Sequence, residues 1–264
     1  MARIIAVTNQ KGGVGKTTTS VNLAASLALT KKRVLLVDLD PQGNATMGSN
    51  VDKHNLQASV LDVLLGDETI QNCIQKPDEI GFHVLPSNGD LTAAEVELMS
   101  VEGRESRLRN ALMQVEADYD FIIIDCPPSL NMLTLNALVS AQGVLIPMQC
   151  EYYALEGLSS LIETVEQVRA SVNPGLEIEG LLRTMYDPRN RLAIDVSDQL
   201  IEHFGDKVYR TVVQRNVRIA EAPSHGLPVI NYDKTSRGAL AYFALAGAVI
   251  RKQVKAAHPT GEVA

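Results

Sequence analysis

Tryptophan is absent from the 264 residues, and aromatic side chains make up only 4% of them. Any core is therefore aliphatic, as suits a parallel sheet covered on both faces. Cysteine is scarce as well. Cys73, Cys126 and Cys150 are odd in number, far apart and never in C-x-x-C spacing. Neither a disulfide framework nor a cysteine metal site is indicated, and the pattern fits buried thiols in a reducing cytoplasm. No apolar run is long enough to span a bilayer, and the amino terminus reads as a strand with no signal peptide. A basic excess is missing too: 24 Lys and Arg face 31 Asp and Glu, a formal charge of −7. This disfavours a nucleic-acid coat protein and leaves only a local basic patch to be argued separately. Hydrophobic residues, at 45%, still supply a substantial core, and the length suits one large α/β domain or two small ones.

What is present begins at Arg3. The run Ile4-Ile5-Ala6-Val7-Thr8 gives way to a glycine-rich turn and then to a helix-forming segment opening at Lys16 and Thr17. Strand, glycine loop and helix in this order form a phosphate cradle. Gly12, Gly13 and Gly15 let backbone N–H groups turn inward around Val14, and the positive end of the helix dipole adds to that field. Lys16 is placed to neutralise β- and γ-phosphates, and the Thr17 hydroxyl to ligate Mg²⁺. The pattern G-x-x-x-x-G-K-[ST] calls for glycine at position 10, where this chain has Gln10. A second lysine, Lys11, precedes the glycines instead, so the loop is a deviant one.

Two carboxylate-bearing strand ends follow. Val34-Leu35-Leu36-Val37 reads as a buried strand that stops at Asp38-Leu39-Asp40-Pro41, where open α/β sheets bind ligands. Phe121-Ile122-Ile123-Ile124 delivers Asp125 to a strand end, broken at once by Cys126-Pro127-Pro128. This is the Walker B arrangement, in which the aspartate orients Mg²⁺ or water opposite the loop. The next residue is Cys126, not the glutamate that many ATPases use to activate water, so Asp40 is the best candidate for that task. Further helices are expected over 59–65, 92–100, 104–117, 154–171, 192–203 and 236–255. Strands are expected over 82–85, 144–148, 178–185 and 208–213. His54 and His83 have no partners at metal-ligand spacing. The whole reads as a single domain from residue 1 to about 255, with a sheet of seven or so mostly parallel strands, helices on both faces, and an unstructured tail over 256–264.

The stretches KGGVGKTTT, VDLDPQGNAT, IIIDCPPSL and RNVRIAEAPSHG, in this order and spacing, resemble the ParA/Soj partitioning ATPases. These belong to the deviant Walker A class that also holds MinD and the nitrogenase iron protein. The resemblance runs to about Lys255 and implies a P-loop NTPase three-layer fold, ATP and Mg²⁺ as cofactors, and weak ATP hydrolysis. It implies that Lys11 reaches across a dimer interface to the partner's phosphates. Gly12, Gly13, Val14, Gly15, Lys16, Thr17 and Thr18 then form the cradle, with Thr17 on Mg²⁺. Asp40 positions the attacking water, Asp38 supports Mg²⁺ or Lys11, and Asp125 is the Walker B aspartate. Arg215 and Asn216 fall where the family contacts adenine, although Gln214 stands where proline often precedes that arginine. The resemblance further implies an ATP-bound homodimer, a ParB-like centromere-binding partner that stimulates hydrolysis, and nonspecific DNA binding on the nucleoid. Arg189, Arg191, Arg218 and Arg237 are the candidate DNA contacts. Three alternatives stay open: a MinD-like positioning ATPase, a redox or amidoligase enzyme on the same scaffold, and a nucleotide-binding regulator with little turnover.

Overall fold

Alternation along the central strands decides the layering. In the computed structural model, which describes residues 1–257, Ile4, Ala6, Leu35, Val37, Ile122 and Ile124 point to one face of a sheet. Ile5, Val7, Leu36, Ile123 and Leu145 point to the other. Both faces are apolar because both are covered. Each fully buried aliphatic side chain contributes about 1.5–3 kcal/mol relative to leaving it exposed.

The strands are β1 (Arg3–Val7), β2 (Val34–Asp38), β3 (His83–Leu85), β4 (Phe121–Asp125), β5 (Gly143–Gln149), β6 (Glu177–Tyr186) and β7 (Val208–Gln214). They form one seven-stranded sheet in the order β3-β2-β4-β1-β5-β6-β7. Every pairing in it is parallel. Helix α1 (Lys16–Leu29) follows β1, and α2 (Asn44–Met47), α3 (Val60–Leu65) and α4 (Ile70–Cys73) lie between β2 and β3. Then come α5 (Ala94–Glu97), α6 (Arg107–Leu112), α7 (Met132–Ser140), α8 (Ala154–Ser171) and α9 (Arg191–Phe204). The chain closes with α10 (Val217–Glu221), α11 (Val229–Tyr232) and α12 (Arg237–Ala257). Side chains of α3 and α6 to α9 cover the first face, and those of α1, α11 and α12 cover the second.

This is the three-layer α/β architecture expected, with the sheet parallel throughout. Ser59 caps α3 as its spacing to Asp62 implied: the two residues close a reciprocal capping box. The helices expected over 92–100 and 104–117 are instead broken into 3₁₀ turns around the short α5 and α6. Asn136 on α7 explains part of this. Its side chain accepts from Leu108 N and donates to Arg104 O, satisfying backbone groups that a longer helix would pair internally. Helix α12 runs two residues past the expected limit, to Ala257, and the rest of the expected tail lies outside the described residues.

Connectivity sets the location of the site. From central β1 the chain moves to β2 on one side, and after β4 it passes to β5 on β1's other side. The loops leaving the carboxyl ends of β1 and its neighbours therefore diverge there and open a crevice.

Candidate nucleotide site

The loop after β1 turns tightly into α1. Gly13 and Gly15 have φ of +73° and +86°, a region that side-chain-bearing residues rarely adopt. Gly15 is the residue from which α1 starts, with no side-chain cap on the helix. The first N–H groups of α1 are therefore available to an anion, with the helix dipole behind them.

Neighbouring strands hold this loop in place. Asn9 accepts from Lys11 N at 3.0 Å and donates to Pro147 O at 2.8 Å, tying the loop to β5. Gln149 donates to Gly13 O at 3.2 Å. From β6, the buried Thr184 hydroxyl donates to Val14 O at 2.7 Å. None of Asn9, Gln149 and Thr184 stands among the residues that the sequence motifs single out. Asn9 adjoins the loop in sequence, whereas the other two reach the loop only through sheet order.

The two lysines diverge. Lys16 is buried, and its ammonium donates to Lys11 O at 3.2 Å. Burial lowers its pKa, and the nearby Asp125 charge partly offsets that. Lys11 is exposed on the rim, and its ammonium pairs with Glu151 Oε2 at 2.5 Å.

Three carboxylates line the strand ends. Asp125 is buried and accepts from Thr17 Oγ1 and Ser20 Oγ, both at 2.7 Å. Asp38 is also buried and lies in register with Asp125 on the neighbouring strand. Burial raises the pKa of both. The Asp38 charge pushes Asp125 further, and the hydroxyls of Ser20 and Thr17 act against it. Asp38 is held within its own loop. Its Oδ1 accepts from Asp40 N at 3.1 Å, and its Oδ2 accepts from Thr46 N at 2.8 Å and Thr46 Oγ1 at 2.7 Å. Through these bonds Asp38 shapes the loop carrying Asp40. Asp40 itself is half-buried and accepts from Gln42 N at 3.0 Å, so its carboxylate stays open to the crevice.

This donor set suits Mg²⁺ held mainly by phosphates and water. Among the described residues no cluster of His, Cys, Asp or Glu forms a metal cage. A magnesium ion bound through substrate phosphates needs only the Thr17 hydroxyl and an outer aspartate such as Asp125.

Beside the loop lies a cavity of about 560 Å³, lined by Gly15, Thr18, Met185, Arg215, Asn216 and Tyr242 among others. Its largely apolar walls and few polar groups fit a base and sugar. Asn216 caps α10 by accepting from Ile219 N at 3.2 Å, which leaves its amide N–H₂ as a donor. Structure thus brings Gly15, Thr18, Arg215 and Asn216 to one cavity.

The candidate DNA arginines gather past the ends of β6 and β7. Arg189 chelates Asp187 at 2.9–3.0 Å and, with the nearby Arg215 charge, lowers that carboxyl to about 2. Arg218 pairs with Glu221 at 2.8 Å and Asp233 at 3.5 Å. Arg191 and Arg237 open α9 and α12, are exposed, and enter no ion pair among the described residues. Of the remaining candidates, Cys126 and Cys150 are buried thiols whose pKa burial raises, so neither is presented to a second subunit. His83 shares a 2.9 Å hydrogen bond with Tyr119 at the sheet edge.

A parallel three-layer sheet with a glycine loop feeding a helix defines the P-loop NTPase class. The family model described as AAA domain matches residues 2–178. Soj of Bacillus subtilis, a sporulation initiation inhibitor protein, is 54% identical over 246 residues, covering 93% of this chain and 97% of its own. Chromosome partitioning protein ParA of Caulobacter vibrioides is 48% identical over 253 residues, 95% of each chain. A Mycobacterium smegmatis protein named cobyrinic acid a,c-diamide synthase, solved with ADP and magnesium, superposes with TM-score 0.85 at 39% identity over 97% of each chain. The chain belongs to the ParA/Soj family of chromosome-partitioning proteins.

Proposed function

We propose that the chain is an ATP-hydrolysing switch for DNA segregation. Mg²⁺–ATP occupies the loop and the adjoining cavity, with Lys16 on the β- and γ-phosphates and Thr17 on the metal. Mg²⁺ supplies charge neutralisation of the phosphates. Asp40 orients the attacking water, and Asp125 holds the Thr17 hydroxyl in position. The base and sugar lie in the cavity against Arg215 and Asn216.

The observation that carries the switch is Lys11. Lys16 already serves the chain's own cradle, while the Lys11 ammonium stands outside it on an exposed carboxylate. Offered to a second subunit's γ-phosphate, it makes an isologous dimer depend on ATP. Two copies of the arginine-bearing edge then act together on the DNA backbone, and a partner of the ParB kind accelerates hydrolysis and resets the cycle. The protein thus works in the cytoplasm, on the nucleoid. Among the described residues no helix is long and apolar enough to cross a membrane.

Retention of nonspecific duplex DNA at low salt tests this reading. Retention is expected with Mg²⁺–ATP and not with Mg²⁺–ADP, and equal retention with both refutes the switch.

The name of the Mycobacterium smegmatis relative suggests a second reading, amidation of a cobyrinic acid carboxylate. Releasing ammonia from glutamine requires an accessible nucleophile such as a thiolate, and all three cysteines here are buried. ATP turnover that rises with cobyrinic acid and ammonia, and not with DNA and a partner, would favour it.

A further inference from the structure

The nucleotide loop leaves the carboxyl ends of the strands, and at the opposite end of the sheet lies a separate cavity of about 440 Å³. Val34 and His83, the first residues of β2 and β3, stand in its wall. Lys31, Lys32 and Arg33 reach it from the turn between α1 and β2, and Lys76 from the segment before β3. In a chain of formal charge −7 this gathering of cations is local. Arg33 already holds Asp120 at 3.2 Å. Lys31, Lys32 and Lys76 enter no ion pair among the described residues. Asp118 also lines the wall, so four cations meet two carboxylates and leave an excess of two positive charges.

The negative end of the α1 dipole accounts for cations at Lys31 and Lys32. It does not account for Lys76, which another segment delivers. Gln75 exchanges two backbone hydrogen bonds with Val84, at 2.8 and 2.9 Å, and this bridge sets the next residue, Lys76, beside β3. Lys31 is unusual in its own right. Its N–H donates to Ala28 O and that of Lys32 to Leu27 O, the pattern of a Schellman turn, whose left-handed position glycine usually takes. Lysine holds that position here, with φ of +64°. Such strain, which glycine would relieve, points to a task for the side chain.

Beneath the lysines Ala28, Val34 and Phe82 are apolar, and His83 shares its hydrogen bond with the Tyr119 hydroxyl at the wall. Cations over an apolar floor suit a ligand with an anionic head and a small apolar body. A phosphate monoester brings about two negative charges at neutral pH and three strong acceptor oxygens, which match the charge excess and the three lysines. A duplex offers a repeating row of single charges and calls for a long open surface, not an enclosed cavity.

We propose that Lys31, Lys32 and Lys76, with the apolar residues beneath them, bind the phosphate monoester of a small organic molecule at the end of the sheet away from the nucleotide loop.

Phenyl phosphate is the probe, titrated calorimetrically into the full chain with the phosphate loop saturated by Mg²⁺–ADP. Wild type should bind it saturably and more tightly than inorganic phosphate, which lacks the apolar body. Lys32→Ala/Lys76→Ala should bind it at least about tenfold more weakly, with Mg²⁺–ADP affinity unchanged. Lys31→Gly should raise the urea midpoint by relieving strain and yet weaken the probe. Nuclear magnetic resonance locates the site. Burial and the Lys76 charge lower the His83 pKa, so a phosphate beside Lys76 should raise it, read from the ring resonance assigned with His83→Gln. Absence of saturable binding, variants that bind as wild type does, or a His83 resonance indifferent to saturating probe each overturns the proposal. A random duplex that displaces the probe from wild type, and loses affinity in the double variant, also overturns it and makes the cavity a DNA contact.

Discussion

Thr17 donates its hydroxyl hydrogen to Asp125 at 2.7 Å, so the first turn of α1 is tied directly to the end of β4. The same carboxylate lies in register with Asp38 on β2, and both are buried. Two carboxyl groups so placed cannot both ionise without cost. Their raised folded-state pKa values make a signed prediction. In the ligand-free chain their contribution to stability is fully present below the ordinary carboxylate pKa, and it is lost as pH rises through the elevated values. His83, whose pKa burial lowers, acts with the opposite sign, so the comparison must isolate the pair. Asp125→Asn should leave the ligand-free chain more stable than wild type at pH 8 by about 1–3 kcal/mol, with a smaller gain at pH 5. Urea unfolding at both pH values measures this. A variant equally destabilised at both would show that the pair carries no such load.

Asp40 can be tested apart from its loop. Its backbone N–H is held by Asp38 and its carbonyl by the Ser87 hydroxyl at 2.9 Å, so Asp40→Ala removes the carboxylate and its bond from Gln42 N while leaving those two backbone anchors. ATP affinity should stay within about twofold while phosphate release falls by about 10²–10⁴, the range for losing a group that positions a proton-transfer partner. Near-normal phosphate release would move the water-orienting role to another residue.

Thr184 makes the third case. Its buried hydroxyl is the donor to Val14 O within the loop. Thr184→Val keeps the shape and deletes the donor, which costs about 1–3 kcal/mol when the acceptor is left unpaired. Mg²⁺–ADP affinity by calorimetry should fall about tenfold, equivalent to about 1.4 kcal/mol, and Thr184→Ser should restore it. A serine variant as weak as the valine one would point to the methyl group's packing and not to the hydrogen bond.

These cases mark what the sequence could and could not disclose. The loop and the strand-end aspartates were legible because strand, glycine turn and helix are local and their spacing carries the chemistry. Ser59 with Asp62 was legible for the same reason. The breaks around α5 and α6 were not, since Asn136, far along the chain, satisfies the backbone of 104–108. Thr184 and Gln149 were equally hidden: their partners in the loop lie 170 and 136 residues away, and only the strand order brings them together. Asp38 is the instructive intermediate. Its position was legible in a local pattern, but the Thr46 contacts that occupy it depend on how the following loop folds back.

The arginine edge gives a prediction in which the structure separates residues the sequence treated alike. Removing one cation from a DNA phosphate lowers the slope of log affinity against log salt by about 0.9. Arg191→Ala and Arg237→Ala each remove two exposed guanidinium groups from a dimer, so each should flatten the slope by up to about 2 and weaken all duplexes alike. Arg218 is different. Glu221 and Asp233 already hold it, so phosphate must compete with two carboxylates for the same donors, and Arg218→Ala should change the slope by less than half as much. Arg189, chelated by Asp187, should follow Arg218. Filter binding of one random duplex across a salt series, with Mg²⁺–ATP present, measures all four. If Arg218 and Arg189 prove the stronger contributors, their acidic partners must release them when DNA binds. If none of the four alters the slope, the DNA surface lies elsewhere on the dimer.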